Sequence, residues 1–162
     1  MSAPPADQSI QVARAIYGQI LVTSVVVALS EDKSASAEEI LGGVVITTVV
    51  FWLAHVYAAA AAAQLGHRHR LHWPEVREIT RHEWPIVEAG FPSGAVLALG
   101  WMGVFSTDTA TTIAIGLGVA GLIGLGFRIG RRAELTPVGT ALAVVLGGAF
   151  GLAIVALKVF IH

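Results

Sequence analysis

Cysteine is absent from the chain. Disulfides, thiolate nucleophiles and thiolate zinc sites are thereby excluded, and the redox compartment leaves no trace in the sequence. Charge is scarce as well: 13% of the residues carry it, against about 25% in an average soluble domain. Net charge is −1, so no basic excess exists to neutralise phosphates and a nucleic-acid partner is not expected. No Walker, His-Glu-x-x-His or Gly-x-Ser-x-Gly motif occurs, and no Thr-Val-Gly-Tyr-Gly-like selectivity filter. Nothing implies a cofactor or an enzyme.

What fills the 162 residues instead is apolar sequence, 55% of the total, with mean hydropathy +0.73. A soluble core of this size needs far less, so lipid is the expected solvent. The reading is an all-α, polytopic transmembrane helix bundle with five spans. Residues 1–12 form a polar, Pro-rich flexible segment, and 13–162 form a single transmembrane domain. The apolar runs cover about 13–29, 40–63, 85–105, 110–127 and 137–160, each long enough to cross a bilayer. A signal peptide is imitated by Arg14, the first run and Ala35-Ser36-Ala37. The long, nearly uncharged stretch before Arg14 and the remote small-residue site argue against cleavage.

Basic residues set the orientation. With the N-terminus inside, Arg14, Arg68, Arg70, Arg77, Arg81, Arg128, Arg131 and Arg132 are cytoplasmic, eight of ten, leaving Lys33 and Lys158 outside. The positive-inside rule then predicts N-in and C-out. Residues 73–84, with Pro74 in the first turn and Trp73, Val76, Ile79 and Trp84 near one face, predict an interfacial amphipathic helix between the second and third spans. Trp73 and Trp84 would anchor it at the headgroups. Thr107 or Asp108 is the expected N-cap of the fourth span, and Thr136-Pro137 that of the fifth.

Small residues recur at helical spacing. Gly90 and Gly94 lie in the third span, Gly116, Ala120 and Gly124 in the fourth, and Gly139, Ala143, Gly147 and Gly151 in the fifth. Such stripes let backbones approach closely in lipid, where water exclusion drives nothing. There are more of them than one monomer needs, which predicts a homo-oligomer, with membrane lipid and a further protein as other partners.

Ionisable residues at membrane depth point by default to function. His55 lies near the middle of the second span, and Glu88 about one turn inside the third. Pro92 cannot donate to the Glu88 carbonyl, so a carboxylate and a freed carbonyl coincide next to a kink. The depths of the two differ by about a helical turn, which makes a His55–Glu88 pair an expectation. His82 and Glu83 join them as candidate ion or proton ligands. The blander account is a histidine tying two helices and a carboxylate that snorkels to water. Gln19, Thr23, Ser24, Thr47 and Thr48 form a polar seam or bond back to their own helices. His67, His69 and His72 have weak metal-ligand spacing, but Arg68 and Arg70 between them would oppose a dication, and lipid headgroups suit the segment better.

Phe51-Trp52-Leu53-Ala54-His55-Val56-Tyr57, His82-Glu83-Trp84-Pro85-Ile86-Val87-Glu88 and Ile154-Val155-Ala156-Leu157-Lys158 together resemble a group of small five-span integral membrane proteins of high-GC bacteria. The resemblance implies a multi-pass bacterial plasma-membrane location and no particular activity. Two functional expectations follow from the residues: an oligomeric cation or proton channel or small transporter, and a non-enzymatic membrane scaffold or accessory subunit. A third, an intramembrane enzyme acting on lipid, has no nucleophile and base to support it.

The cysteine-free background makes the topology testable. Ser34→Cys and Val104→Cys are expected to react with an impermeant maleimide in intact cells, and Arg77→Cys and Ala133→Cys only after permeabilisation.

Overall fold

The computed structural model describes residues 5–67, 72–133 and 135–160. These are helical with no strand among them: α1 Pro5–Leu29, α2 Ala37–His67, α3 Trp73–His82, the single turn α4 Pro85–Glu88, α5 Phe91–Trp101, α6 Thr107–Arg132 and α7 Pro137–Phe160. Four are long and apolar enough to cross a bilayer, over Ile10–Leu29, Ala37–Leu65, Thr107–Arg131 and Pro137–Ala156.

The third expected span is not one helix. It divides into α4 and α5, separated by Ala89 and Gly90, and Pro92 sits in the first turn of α5. Ala89 and Gly90 keep right-handed helical angles, so the chain bends without reversing. α5 alone is about 16 Å long, well short of the ~30 Å hydrocarbon layer. Together α4 and α5 reach about 25 Å.

Caps explain several boundaries. α1 begins at Pro5, so residues 5–12, expected to be flexible, are helical. Proline suits a first turn. α2 starts at Ala37 because Ser36 and Glu39 close a capping box: Ser36 Oγ accepts from Glu39 N–H at 3.2 Å, and Glu39 Oε2 accepts from Ser36 N–H at 2.7 Å. In the preceding loop Asp32 Oδ1 accepts from the Ser34 backbone N–H at 2.8 Å and its hydroxyl at 2.6 Å. Chiefly the hydroxyl bond, with the backbone bond behind it, holds the Asp32 carboxyl below its ordinary value. The N-cap of α6 is Ser106, one residue ahead of the expected Thr107 or Asp108: its backbone is extended and its Oγ accepts from Thr109 N–H at 3.2 Å. Thr136 caps α7 by accepting from Gly139 N–H at 3.2 Å. At the other end of α5, Gly103 takes φ +78°. Its N–H bonds to Gly100 while that of Val104 reaches Leu99, a Schellman ending.

α1 is the hub of the bundle. Its Val22 and Val26 are fully buried and form the core with Ile40 and Val44 of α2, Leu97 of α5 and Ala114 of α6. A methyl group added at Gly18 would lie 2.5 Å from the Ile86 carbonyl oxygen, so α1 and α4 touch backbone to backbone there. On another face of α1, Thr23 sits over Gly118 and Gln19 over Gly121 of α6. Buried Ser93 donates to the Ala114 carbonyl at 3.1 Å and ties α5 to α6.

α7 leans on α6. Gly147 lies against the Leu122 carbonyl, where a Cβ would be 2.5 Å away, Gly151 against Val119, and Ala143 against Gly126. Gly139 instead lies nearest to Leu135 and Thr136, just ahead of it in the chain. The glycines of α6 that make contact are Gly118, Gly121, Gly126 and Gly130. Gly116 and Gly124 face open space and Ala120 is exposed, so that stripe packs nothing among the described residues. Gly90 lies close to Val22, and Gly94 at ordinary distance from Leu41. Gln19, Thr23 and Thr48 are buried, whereas Ser24 and Thr47 are half-buried. Thr23 donates to its own helix at the Gln19 carbonyl, 2.7 Å away.

Gly18→Val and Gly147→Val are each expected to cost about 2 kcal/mol from overpacking. Gly116→Val and Gly124→Val are expected to change monomer stability by less than about 0.5 kcal/mol. Unfolding in a fixed detergent, followed by circular dichroism, checks both.

Candidate functional site

Contacts along the bundle place the N-terminal end of α1 beside α4, and antiparallel to it the C-terminal end of α6: Gly18 meets Ile86, and Gln19 meets Gly121. Arg14, α3 and the arginines of α6 therefore gather at one end. Here the chain between α3 and α4 is clasped to α1. Glu83, the C-cap of α3, is buried, and its carboxylate pairs with the Arg14 guanidinium at 2.5 Å. Glu83 side-chain exposure is 5% against 22% for Arg14, so the acid is dry while the base keeps some water. A carboxylate so enclosed requires its partner, because removing either side leaves an uncompensated charge.

α3 itself is built by local rules. Glu75 Oε2 accepts from the His72 backbone N–H at 2.9 Å, and Pro74 occupies the first turn. Val76 and Ile79 are half-buried while Arg77, Glu78 and Arg81 are exposed. His82 lies 3.7 Å from Glu78, one turn back.

Between α2, α3 and α4 opens a cleft of about 1200 Å³. Trp52, Trp73 and Trp84 line it together with Arg77, Arg81, Glu78, His82 and Glu88. Trp52 and Trp84 meet edge to face, 5.7 Å between centroids at 83°. The indole N–H of Trp52 is buried and has no hydrogen-bond partner among the described residues. Trp73 is 78% exposed, so most of its ring remains uncovered by the chain.

The two residues singled out by depth are not joined. His55 is half-buried, with Nδ1 2.9 Å from the Phe51 carbonyl of its own helix. A carbonyl only accepts, so Nδ1 carries the hydrogen. The ring packs on Tyr17 of α1, 5.0 Å between centroids. Glu88 is exposed on the cleft, and its carboxylate makes no ion pair or hydrogen bond among the described residues. Of the four candidate ion ligands, His82 and Glu88 line the cleft, Glu83 is held by Arg14, and His55 belongs to the α1–α2 contact.

His69 lies outside the described residues, as do Arg68 and Arg70; His67 ends α2 and His72 precedes α3. Among the described residues no group of three His, Cys, Asp or Glu is placed to hold a metal ion. The partner that spacing overlooked is Arg14. Its seat near the start of an apolar helix was the available signal, since a charge there needs a counter-ion.

No known protein family, curated protein or solved structure matches the chain.

Arg14→Ala and Glu83→Ala are each expected to destabilise by about 3 kcal/mol, the low end for a buried pair because Arg14 is partly hydrated. Arg14→Met with Glu83→Gln is expected to recover part of that loss in the same thermal unfolding assay.

Proposed function

We propose that the chain is a non-enzymatic, five-pass membrane protein whose working site is the cleft between α2, α3 and α4, and that this cleft receives a membrane lipid at the cytoplasmic interface. The single observation carrying the reading is the lining itself: three indoles and two arginines on one concavity. Tryptophan favours the headgroup level of a bilayer, and arginine there meets lipid phosphate. In this reading α4 and α5 cross together as the third pass, with N-in and C-out orientation and α3 lying at the interface. The gathering of Arg14, Arg77, Arg81, Arg128 and Arg131 toward one end supports that orientation. Exposed apolar side chains along α2 and α7, such as Ile46, Leu53, Val145 and Phe150, suit contact with acyl chains. A bacterial plasma membrane and a role as accessory subunit or scaffold, in a homo-oligomer, belong to the same reading.

Transport of a cation or proton is the second reading. It is favoured by one observation, the exposed Glu88 carboxylate at the break ahead of Pro92. The engagement of His55 by Tyr17 and Phe51 weakens it, because the expected two-residue site loses a member.

One preparation separates the readings. The purified full chain, released from mixed phospholipid vesicles into mild detergent, is expected to retain phospholipid in native mass spectra. Arg77→Ala with Arg81→Ala is expected to lower that retention severalfold, since each charge-assisted bond is worth about 1.5–3 kcal/mol. Equal retention by wild type and variant would overturn the lipid reading. Cation or proton flux in proteoliposomes that is lost in Glu88→Gln would establish transport in its place.

A further inference from the structure

The charges on the cleft are of both signs, and their pairing restricts the occupant. His82 Nε2 lies 3.7 Å from Glu78 Oε1, so the Glu78 carboxylate has a basic group of its own helix beside it. Arg77 and Arg81 stand one helical turn apart on α3, are exposed, and make no ion pair among the described residues. Residues at that spacing lie on one helix face, close enough for two guanidinium groups to share one phosphate. Across the cleft from α3, on α4, Glu88 is likewise exposed and unpaired among the described residues. Its own carbonyl lacks the usual helical donor, because the residue four positions on is Pro92. Two acceptors thus belong to one residue.

A purely anionic headgroup would satisfy the arginines and be repelled by Glu88. A headgroup with a phosphate and a nearby ammonium satisfies both. Resting on the reading of the cleft as a lipid site, we infer that its occupant is a phospholipid with a primary ammonium headgroup, of the phosphatidylethanolamine type. The phosphate lies against Arg77 and Arg81, and the ammonium against Glu88. A primary ammonium fits better than a quaternary one, since it carries three N–H donors and Glu88 offers carboxylate and carbonyl acceptors. The unpartnered Trp52 indole N–H calls for an acceptor, which the phosphate and ester oxygens of a phospholipid provide. The tryptophans then flank the glycerol level, where amphipathic rings settle. The ligand is membrane-borne: Trp73 and Trp84 of the cleft lining, exposed at 78% and 40%, leave apolar surface that a soluble headgroup fragment would not cover.

The experiment uses the full chain in detergent with defined phospholipids. Phosphatidylethanolamine, phosphatidylglycerol, phosphatidylcholine and soluble phosphoethanolamine are titrated separately. Binding is read from tryptophan fluorescence and from the number of molecules retained in native mass spectra. Phosphatidylethanolamine is expected to bind about tenfold more tightly than the other two lipids, the worth of one charge-assisted hydrogen bond. Glu88→Gln is expected to remove that preference while leaving phosphatidylglycerol bound. Arg77→Ala with Arg81→Ala is expected to weaken all three lipids. Thermal unfolding of both variants verifies the fold, which their exposed positions leave intact.

Equal affinity for the three lipids, or a preference that survives Glu88→Gln, overturns the ammonium assignment while leaving a lipid cleft. Phosphoethanolamine binding as tightly as the lipid overturns the membrane-borne source. Absence of any lipid binding sensitive to Arg77 and Arg81 overturns the cleft reading itself.

Discussion

Helices in lipid gain nothing by hiding apolar surface from one another, so they hold together only where their backbones come close. Everything in this bundle follows from where that approach is possible. Gly18 sets the α1 backbone on the carbonyl of Ile86, and Gly147 sets α7 on that of Leu122. Gly118 and Gly121 open the recesses in α6 that receive Thr23 and Gln19. The long apolar side chains face outward instead, as Ile46, Leu53 and Phe150 do. A smaller set is innermost: Val22, Val26, Ile40 and Leu97 are buried where the helices meet.

Proline supplies the second constraint. Pro85 starts the third apolar run, and the break ahead of Pro92 divides it into a single turn and a short helix. The bend holds α4 across α1, with Ile86 buried at the contact. Just ahead of the turn, Glu83 enters the dry region and takes Arg14 as counter-ion. A buried pair of this kind adds little net stability against an apolar alternative, but it fixes which groups meet. Here it fastens the chain between α3 and α4 to α1, and the cleft is the space left between that fastening and α2.

Much of this was legible from residue order. Five apolar runs, a helix expected over 73–84 and found over Trp73–His82, the Thr136-Pro137 start and the break ahead of Pro92 all rest on interactions within a few residues. Other local signals start helices ahead of their apolar runs. Ser36 and Glu39 form a capping box that starts α2 three residues before its apolar run, and Ser106, ahead of Thr107 and Asp108, caps α6. The candidate site was less legible. His55 and Glu88 share a depth, yet depth says nothing about rotation about a helix axis. The rotation adopted turns His55 toward Tyr17 and leaves Glu88 on the cleft. For the same reason Gly116, Ala120 and Gly124 had a packing stripe's spacing, while the contacts fell to glycines on other faces of α6.

The sequence by itself determined the long apolar runs, the helical class and most of the places where helices start, end and bend. Those depend on composition, period and capping, which act along the chain. Only the tertiary structure decided that Arg14 answers Glu83, that Trp52 meets Trp84, and that three indoles and two arginines share one cleft. Each joins residues from different helices, and their meeting depends on helix rotation and crossing. In lipid those are set by the summed shape of many small side chains, a quantity that no single spacing carries.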